Sequence, residues 1–383
     1  MLKKICFLVN YNGYETKRHF TIKLAEAFER HGVKTKIIDV DENTLSPELI
    51  QDLRHFEPDL TASFNTLLPL SNNRFLCDYL KIPHWSILVD PLFYSLQYTR
   101  SPYSWISCVD RSDTEYLKGM GFERGFFLPH GVERDLEPGQ AKRTYEVVFF
   151  GSCYDYESLR ASWQQRLPKP IAKVLDAAIE LFTEDRQMSL ADALAKAWGL
   201  SKLNPAEADF PALFYYLDNY TRGKDRVELI RAIKDVPIHV FGDLSRDNVA
   251  AILGWRQYLK NQKNVTIHPA VLYGETLQIL KQSKFCLNSM PFFKNGSHER
   301  VFIGLAAGAV PITTENHYFE DKFQSGKELL FYPVANHSSI NEPLHRLLSD
   351  ESSRQGIVDA GRVKVMKNDT WDNRVNTVLE FVK

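Results

Sequence analysis

Short, almost wholly apolar runs, each followed by a stretch of helical periodicity, recur in two separate blocks of this chain. That alternation constrains the fold more than any other feature. In the first block, ICFLVN (5–10) reads as a buried strand. Residues 17–31 then place Phe20, Leu24, Ala27 and Phe28 on one helical face, and Gly32 stops the helix. VKTKIIDV is the next strand, and LSPELIQDLRHF the next helix, opened by Ser46 and Pro47. DLTASF, HWSILVD and SWISCVD follow as strands. SDTEYLKGMG is a helix capped by Ser112 or Asp113 and stopped by Gly121, and GFFLP is a last short strand. Strands that alternate with helices form a parallel, doubly wound sheet.

Residues 132–145 lose all periodicity and mix Gly, Pro and charge, as a linker does. The second block starts at VVFFGS (147–152) and continues with strands at IHVFG, VTIHP, FCLNSM and VPITT. Between its first two strands, residues 156–235 carry only helical patterns, and 351–383 are helical again. A chain of 383 residues exceeds one ordinary core. The expected division is therefore an N-terminal domain (1–131), a linker (132–145), a C-terminal domain (146–355) with a helical insertion (156–235), and a terminal helix (356–383) returning to the first domain. The fold class is α/β, two Rossmann-like doubly wound domains. Their carboxyl strand edges would face one cleft, where such sheets bind ligands.

A net charge of −1 lacks the basic bias of a nucleic-acid-binding protein. No apolar run approaches the roughly 20 residues that span a bilayer. MLKKICFLVN is too short in its apolar part for a signal peptide and reads as the first strand. The five cysteines are scattered without a CxxC pair, the usage of a reducing cytoplasm, and offer neither a zinc site nor a disulfide framework.

The segment richest in chemistry is SKFCLNSMPFFKNGSHERVFIGLAAGAVPITTEN (283–316). A strand runs to about Asn288. A loop with Asn295 and Gly296 follows, then Ser297 as N-cap of a helix that Gly308 stops. The free N–H groups and dipole of such a helix start attract an anion. Arg300 in the first turn adds a bidentate phosphate contact. His298 and Glu299 lie beside it, and Glu299 suits a sugar or ribose hydroxyl better than a phosphate.

GSHERVFIGLAAGAVPIT resembles the nucleotide-sugar region of GT-B glycosyltransferases, in particular the spore-maturation-type (CgeB-like) branch. HWSILVDPLFYS, the stretch from SWISCVD to HGVERD, and VVFFGS resemble further parts of that family. The resemblance covers about residues 80–155 and 236–320. It implies a donor site in which Gly151 and Ser152 approach the diphosphate, Gly242 borders the nucleoside and Tyr273 stacks on the base. It also implies an acceptor-side loop containing Asn12, Gly13 and Tyr14. One departure stands out. Many retaining members carry two glutamates flanking this helix, and the second would fall at Ile303.

Transfer of a sugar from a nucleotide donor, UDP-sugar favoured, is the activity so implied. The acceptor is left open among protein, glycan and small molecule. Asp90, at a strand end, is the leading candidate for a base that deprotonates the acceptor. Asp110 is the second, unless it only caps a helix, and His130 is a third group at the hinge. No Asp-x-Asp motif occurs in a suitable loop, so no metal or other cofactor is expected. The insertion is the expected place for acceptor recognition or homo-oligomer contacts. Two alternatives share the fold: a GT-B epimerase or phosphorylase, and a non-catalytic module that binds sugar nucleotides or protein.

Overall fold

A computed structural model describes residues 2–10, 13–40, 46–70, 74–139, 142–204, 206, 209–243 and 254–382. The first block forms β1 (Lys4–Asn10), α1 (Thr16–Arg30), β2 (Lys34–Val40), α2 (Pro47–Phe56), β3 (Leu60–Phe64), α3 (Leu76–Leu80), β4 (His84–Leu88), β5 (Ser104–Cys108), α4 (Arg111–Gly119) and β6 (Gly125–Phe127). The second forms β7 (Tyr145–Phe150), the insertion helices α5 (Tyr156–Arg166), α6 (Lys169–Glu184), α7 (Leu190–Ser201) and α8 (Phe210–Ala232), and β8 (Ile238–Asp243). It continues with α9 (Trp255–Tyr258), β9 (Val265–Pro269), α10 (Tyr273–Leu280), β10 (Ser283–Asn288), α11 (Glu299–Ala307), β11 (Val310–Thr314), α12 (His317–Lys322) and β12 (Leu330–Tyr332). Helices α13 (Asn341–Ser349), α14 (Glu351–Asn368) and α15 (Trp371–Phe381) close the chain.

Both sheets are parallel and six-stranded, in the orders β2-β1-β3-β4-β5-β6 and β12-β11-β10-β7-β8-β9. The central strands β3, β4 and β11 are buried along their whole length, as sheets covered on both faces require. The order reverses between β1 and β3 in one sheet and between β7 and β10 in the other. Loops leaving the carboxyl ends at those points diverge and open a crevice.

Helix signals read from the sequence differ from the structure in three places. Asp110, not Ser112 or Asp113, is the N-cap of α4, and its carboxylate accepts from the Ser112 N–H at 2.7 Å. His298, not Ser297, is the N-cap residue of α11, because the Ser297 hydroxyl is already engaged by His130. The helical C-terminus is broken at Asp369–Thr370. Helix α14 stays with the second domain, where the Gly361 backbone lies against Leu305 of α11. The chain therefore returns to the first domain at Trp371 rather than at 356. There Trp371 packs on Phe20 and Phe64, Phe381 stacks on Phe126, and Asp372 takes a bidentate pair from Arg30. Among the described residues no helix is long and apolar enough to cross a membrane.

Candidate functional site

The site is built around two tight turns of the second sheet. Strand β7 ends at Phe150, and Gly151 follows with φ of 150°. Its N–H donates to Phe241 O at 3.0 Å, which draws the ends of β7 and β8 together. They approach so closely that a Cβ on Gly242 would sit 2.0 Å from Gly151 O. Only glycine fits there. Trp255 Nε1 donates to Gly151 O at 2.9 Å and Arg226 Nη1 to Ser152 O at 2.8 Å, so the turn is pinned from behind. In front of it lies a cavity of about 120 Å³. Its wall includes Gly151, Ser152, Gly242, Glu299 and Arg300 from the second domain and Tyr14 from the first. The Tyr273 N–H donates to Tyr14 O at 3.0 Å across the two domains.

Charge gathers at the start of α11. Glu299 is only 14% exposed; burial pushes its carboxyl up, but His298 and Arg300 outweigh that and hold it below the usual carboxylate range. Burial lowers His298 and also His130, which is pushed down to about 3 and is neutral near pH 7. Ser297 Oγ accepts the His130 backbone N–H at 2.8 Å and shares a second hydrogen bond of 3.1 Å with His130 Nδ1. His130 Nε2 faces Glu299 at 3.8 Å. His298 Nδ1 lies 2.7 Å from Glu299 Oε2 and 3.4 Å from the Arg300 backbone nitrogen. The contact to the carboxylate is the shorter and stronger of the two, and the Arg300 N–H is turned to the same ring nitrogen at the helix start.

Two guanidinium nitrogens near this point are buried without a partner: Arg300 Nη1 and Arg226 Nε. Burial and the neighbouring Arg300 and Arg222 lower the Arg226 guanidinium. Unpaired buried donors of this kind are costly unless a ligand completes them. Arg300 lines the cavity, so an anion there would meet it; Arg226 stands behind the turn and outside the cavity wall. Among the described residues, no three His, Cys, Asp or Glu side chains are grouped to hold a metal ion.

The structure thus brings Tyr14, Gly151, Ser152, Gly242, Tyr273, Glu299 and Arg300 to one cavity, with Ile303 beside them. Tyr273 is buried, its ring edge-on to Phe20 at 5.2 Å. Asn295, Gly296 and Ser297 lie elsewhere, in the joint between the domains. The Asn295 N–H donates to Asp110 Oδ2 at 3.1 Å, Gly296 bridges Asp110, and the Ser297 N–H donates to Val109 O at 2.9 Å. Asp110 is consumed there too, and burial raises its carboxyl. Gly13 has open space around it, and Asn12 lies outside the described residues. Sequence reasoning missed Arg222 and Arg226. Their signal was available: Asp218, Arg222, Asp225 and Arg226 fall on the buried stripe of α8, where charge needs a reason.

Asp90 opens onto a second cavity of about 320 Å³, between the ends of β3 and β4 and helix α8. It is half exposed, accepts from Asn65 Nδ2 at 2.8 Å, and lies 3.8 Å from Arg222 Nη1.

Two facing, doubly wound domains with the cavity between their carboxyl edges define the GT-B glycosyltransferase fold. Residues 224–380, which include α11 and most of the second sheet, match a family model described as glycosyl transferase-like. Among solved structures the chain is similar to HepE of Anabaena in complex with UDP and glucose, at 10% identity over 99% of each chain and a TM-score of 0.57. It is similar to sucrose-phosphate synthase of Thermosynechococcus elongatus, at 8% identity over 99% of this chain and 98% of that one, TM-score 0.58. A glycosyltransferase of Rickettsia africae gives 12% identity over 100% and 99%, TM-score 0.56. Comparison with curated proteins gives no significant sequence match.

Proposed function

We propose that this chain is a glycosyltransferase that moves a sugar from a nucleoside diphosphate donor, a UDP-sugar by preference, to an acceptor hydroxyl. The observation that carries the reading is the partnerless buried guanidinium nitrogen Arg300 Nη1, on a residue of the cavity wall, with the Arg226 guanidinium behind the Gly151–Ser152 turn. A diphosphate in the cavity meets Arg300 and the start of α11. UDP is preferred because structures of the similar HepE hold UDP with glucose and UDP-glucose. The likeness of residues 283–316 to the spore-maturation-type branch supports the same class of reaction.

In the transfer, the acceptor oxygen bonds to the anomeric carbon, and the bond from that carbon to the diphosphate breaks. The electron pair leaves on the diphosphate. Fixed positive charge at Arg226, Arg300 and the helix start stabilises that leaving group without a metal ion. Glu299, held ionised, accepts from hydroxyls of the donor. The Asp90 carboxylate takes the acceptor proton.

The test is a panel of UDP-, GDP- and TDP-sugars, with binding measured by calorimetry and turnover by nucleotide release. Binding of one donor class with slow hydrolysis is expected. An absence of both across the panel overturns the proposal, and binding without any turnover favours a non-catalytic sugar-nucleotide module.

A further inference from the structure

The second cavity differs from the first in the balance of its wall. Among the described residues its wall has no aliphatic side chain. Four tyrosines line it, Tyr94 and Tyr98 from the first domain and Tyr154 and Tyr215 from the second. Between the rings lie carboxylates, amides and one guanidinium. These groups hold one another in fixed positions. Asn65 donates to Asp90 Oδ2 and accepts the Val89 N–H at 2.8 Å, so its amide has a set orientation. Asp218 accepts from Arg222 Nε at 2.7 Å and from the Tyr94 hydroxyl. The Arg222 guanidinium carbon lies over the Phe292 ring, 3.6 Å from its centroid.

One donor is left over. Arg222 is 8% exposed, and its Nη2 is buried without a partner. A buried guanidinium N–H costs free energy until an acceptor meets it. The acceptor has to be neutral, since Asp90 and Asp218 already outnumber the single cation and repel a further anion. The absence of aliphatic wall excludes a lipid chain. Aromatic rings set among amides and carboxylates suit a sugar ring, whose C–H faces lie on tyrosines while its edge hydroxyls pair with the polar groups.

The two cavities also share one loop. Gly151 and Ser152 face the first and Tyr154 the second, so the walls meet within two residues, roughly 7 Å of chain. We infer that this second cavity is the acceptor site and that it takes a neutral sugar residue, as a glycoside or the end of a glycan. The inference rests on the donor reading for its role and on the cavity's own chemistry for its ligand.

Saturation-transfer NMR on the full chain tests it, with the methyl glycosides of glucose, galactose, mannose and N-acetylglucosamine as probes, with and without UDP. Tyr215 is 53% exposed and Asn219 half-buried, so changes there leave the core intact. At least one glycoside is expected to bind. Its affinity should fall about fivefold in Tyr215→Ala and in Asn219→Ala and persist in Tyr215→Phe. UDP affinity should stay within about twofold throughout. Failure of every glycoside to bind, binding unchanged in both alanine variants, or binding of a serine-containing peptide in place of any glycoside overturns the inference. Glycoside binding that behaves as expected in a chain that does not bind UDP sinks the donor reading and leaves the sugar site standing.

Discussion

The two cavities of the cleft are supplied by different parts of the chain. The one at Arg300 is walled mainly by strand-to-helix turns of the second sheet, the places where any doubly wound sheet presents backbone N–H groups and glycines. The one at Asp90 takes half its wall from α8 and the loop before α5, in the insertion that interrupts the alternation. The comparison teaches that the architecture itself supplies the turns that the proposed donor site needs, whereas the polar, tyrosine-lined face is shared between loops of the first sheet and helix α8. Helix α8 serves both. Arg226 backs the first cavity and Arg222 lines the second, one helical turn apart.

The sharpest way to break this contrast is to discharge the first cavity. Arg226→Ala with Arg300→Ala is expected to lower kcat/KM by about 10³-fold or more, and Arg300→Ala alone to raise the donor Kd at least about tenfold, by calorimetry. An unchanged donor Kd would show that the anion lies elsewhere. Next comes Asp90→Asn, which is expected to lower kcat about 100-fold while donor affinity stays constant. A loss of donor affinity instead would merge the two cavities into one functional unit. Gly242→Ala should follow, because its Cβ collides with the Gly151 carbonyl. It is expected to cost about 1–3 kcal/mol in urea unfolding and to weaken the donor with it.

A smaller effect concerns acid. Burial sets His130 at about 3 against an ordinary 6.5. Between those values the unfolded chain takes up a proton that the folded chain refuses. The stability due to neutral His130 is thus complete above pH 6.5 and falls as the pH drops towards 3. His84, lowered to about 4 by burial in the first sheet, acts in the same sense. In His130→Asn the urea midpoint should change less between pH 7 and 4.5 than in the parent chain. Smallest is Ile303→Val, which should cost about 1 kcal/mol and leave donor affinity within about twofold. A larger change in affinity would mean that the aliphatic wall touches the donor.

Much of the fold was legible because local period decides it. The apolar runs became β1, β3, β4 and β7, and Gly32, Gly121 and Gly308 take the positive φ that ends a helix. The cavity residues were legible in part for a similar reason: Gly151, Gly242, Glu299 and Arg300 sit at strand ends and a helix start. The loop at Asn295–Ser297 looked alike in sequence. However, its partners are Val109, Asp110 and His130, more than 160 positions away, and no local pattern reports a pairing of that range. Arg222 and Arg226 were passed over for another reason: the 23 residues of α8 read as plain helical pattern, and the charges recurring on its buried stripe were the signal left unused. Ile303, singled out in the sequence as a departure, lines the cavity.

The crossing of α15 carries a consequence for biosynthesis. Trp371 fills a place between Phe20 and Phe64, and a Cβ on Gly131 would meet its ring at 2.6 Å. The first domain is therefore discontinuous in the gene. On the ribosome its sheet is made first but lacks a packing partner until the chain has been translated past residue 371. The second domain takes α14, which ends at Asn368, as its own last piece. The half that starts the protein is completed by the helix that ends it.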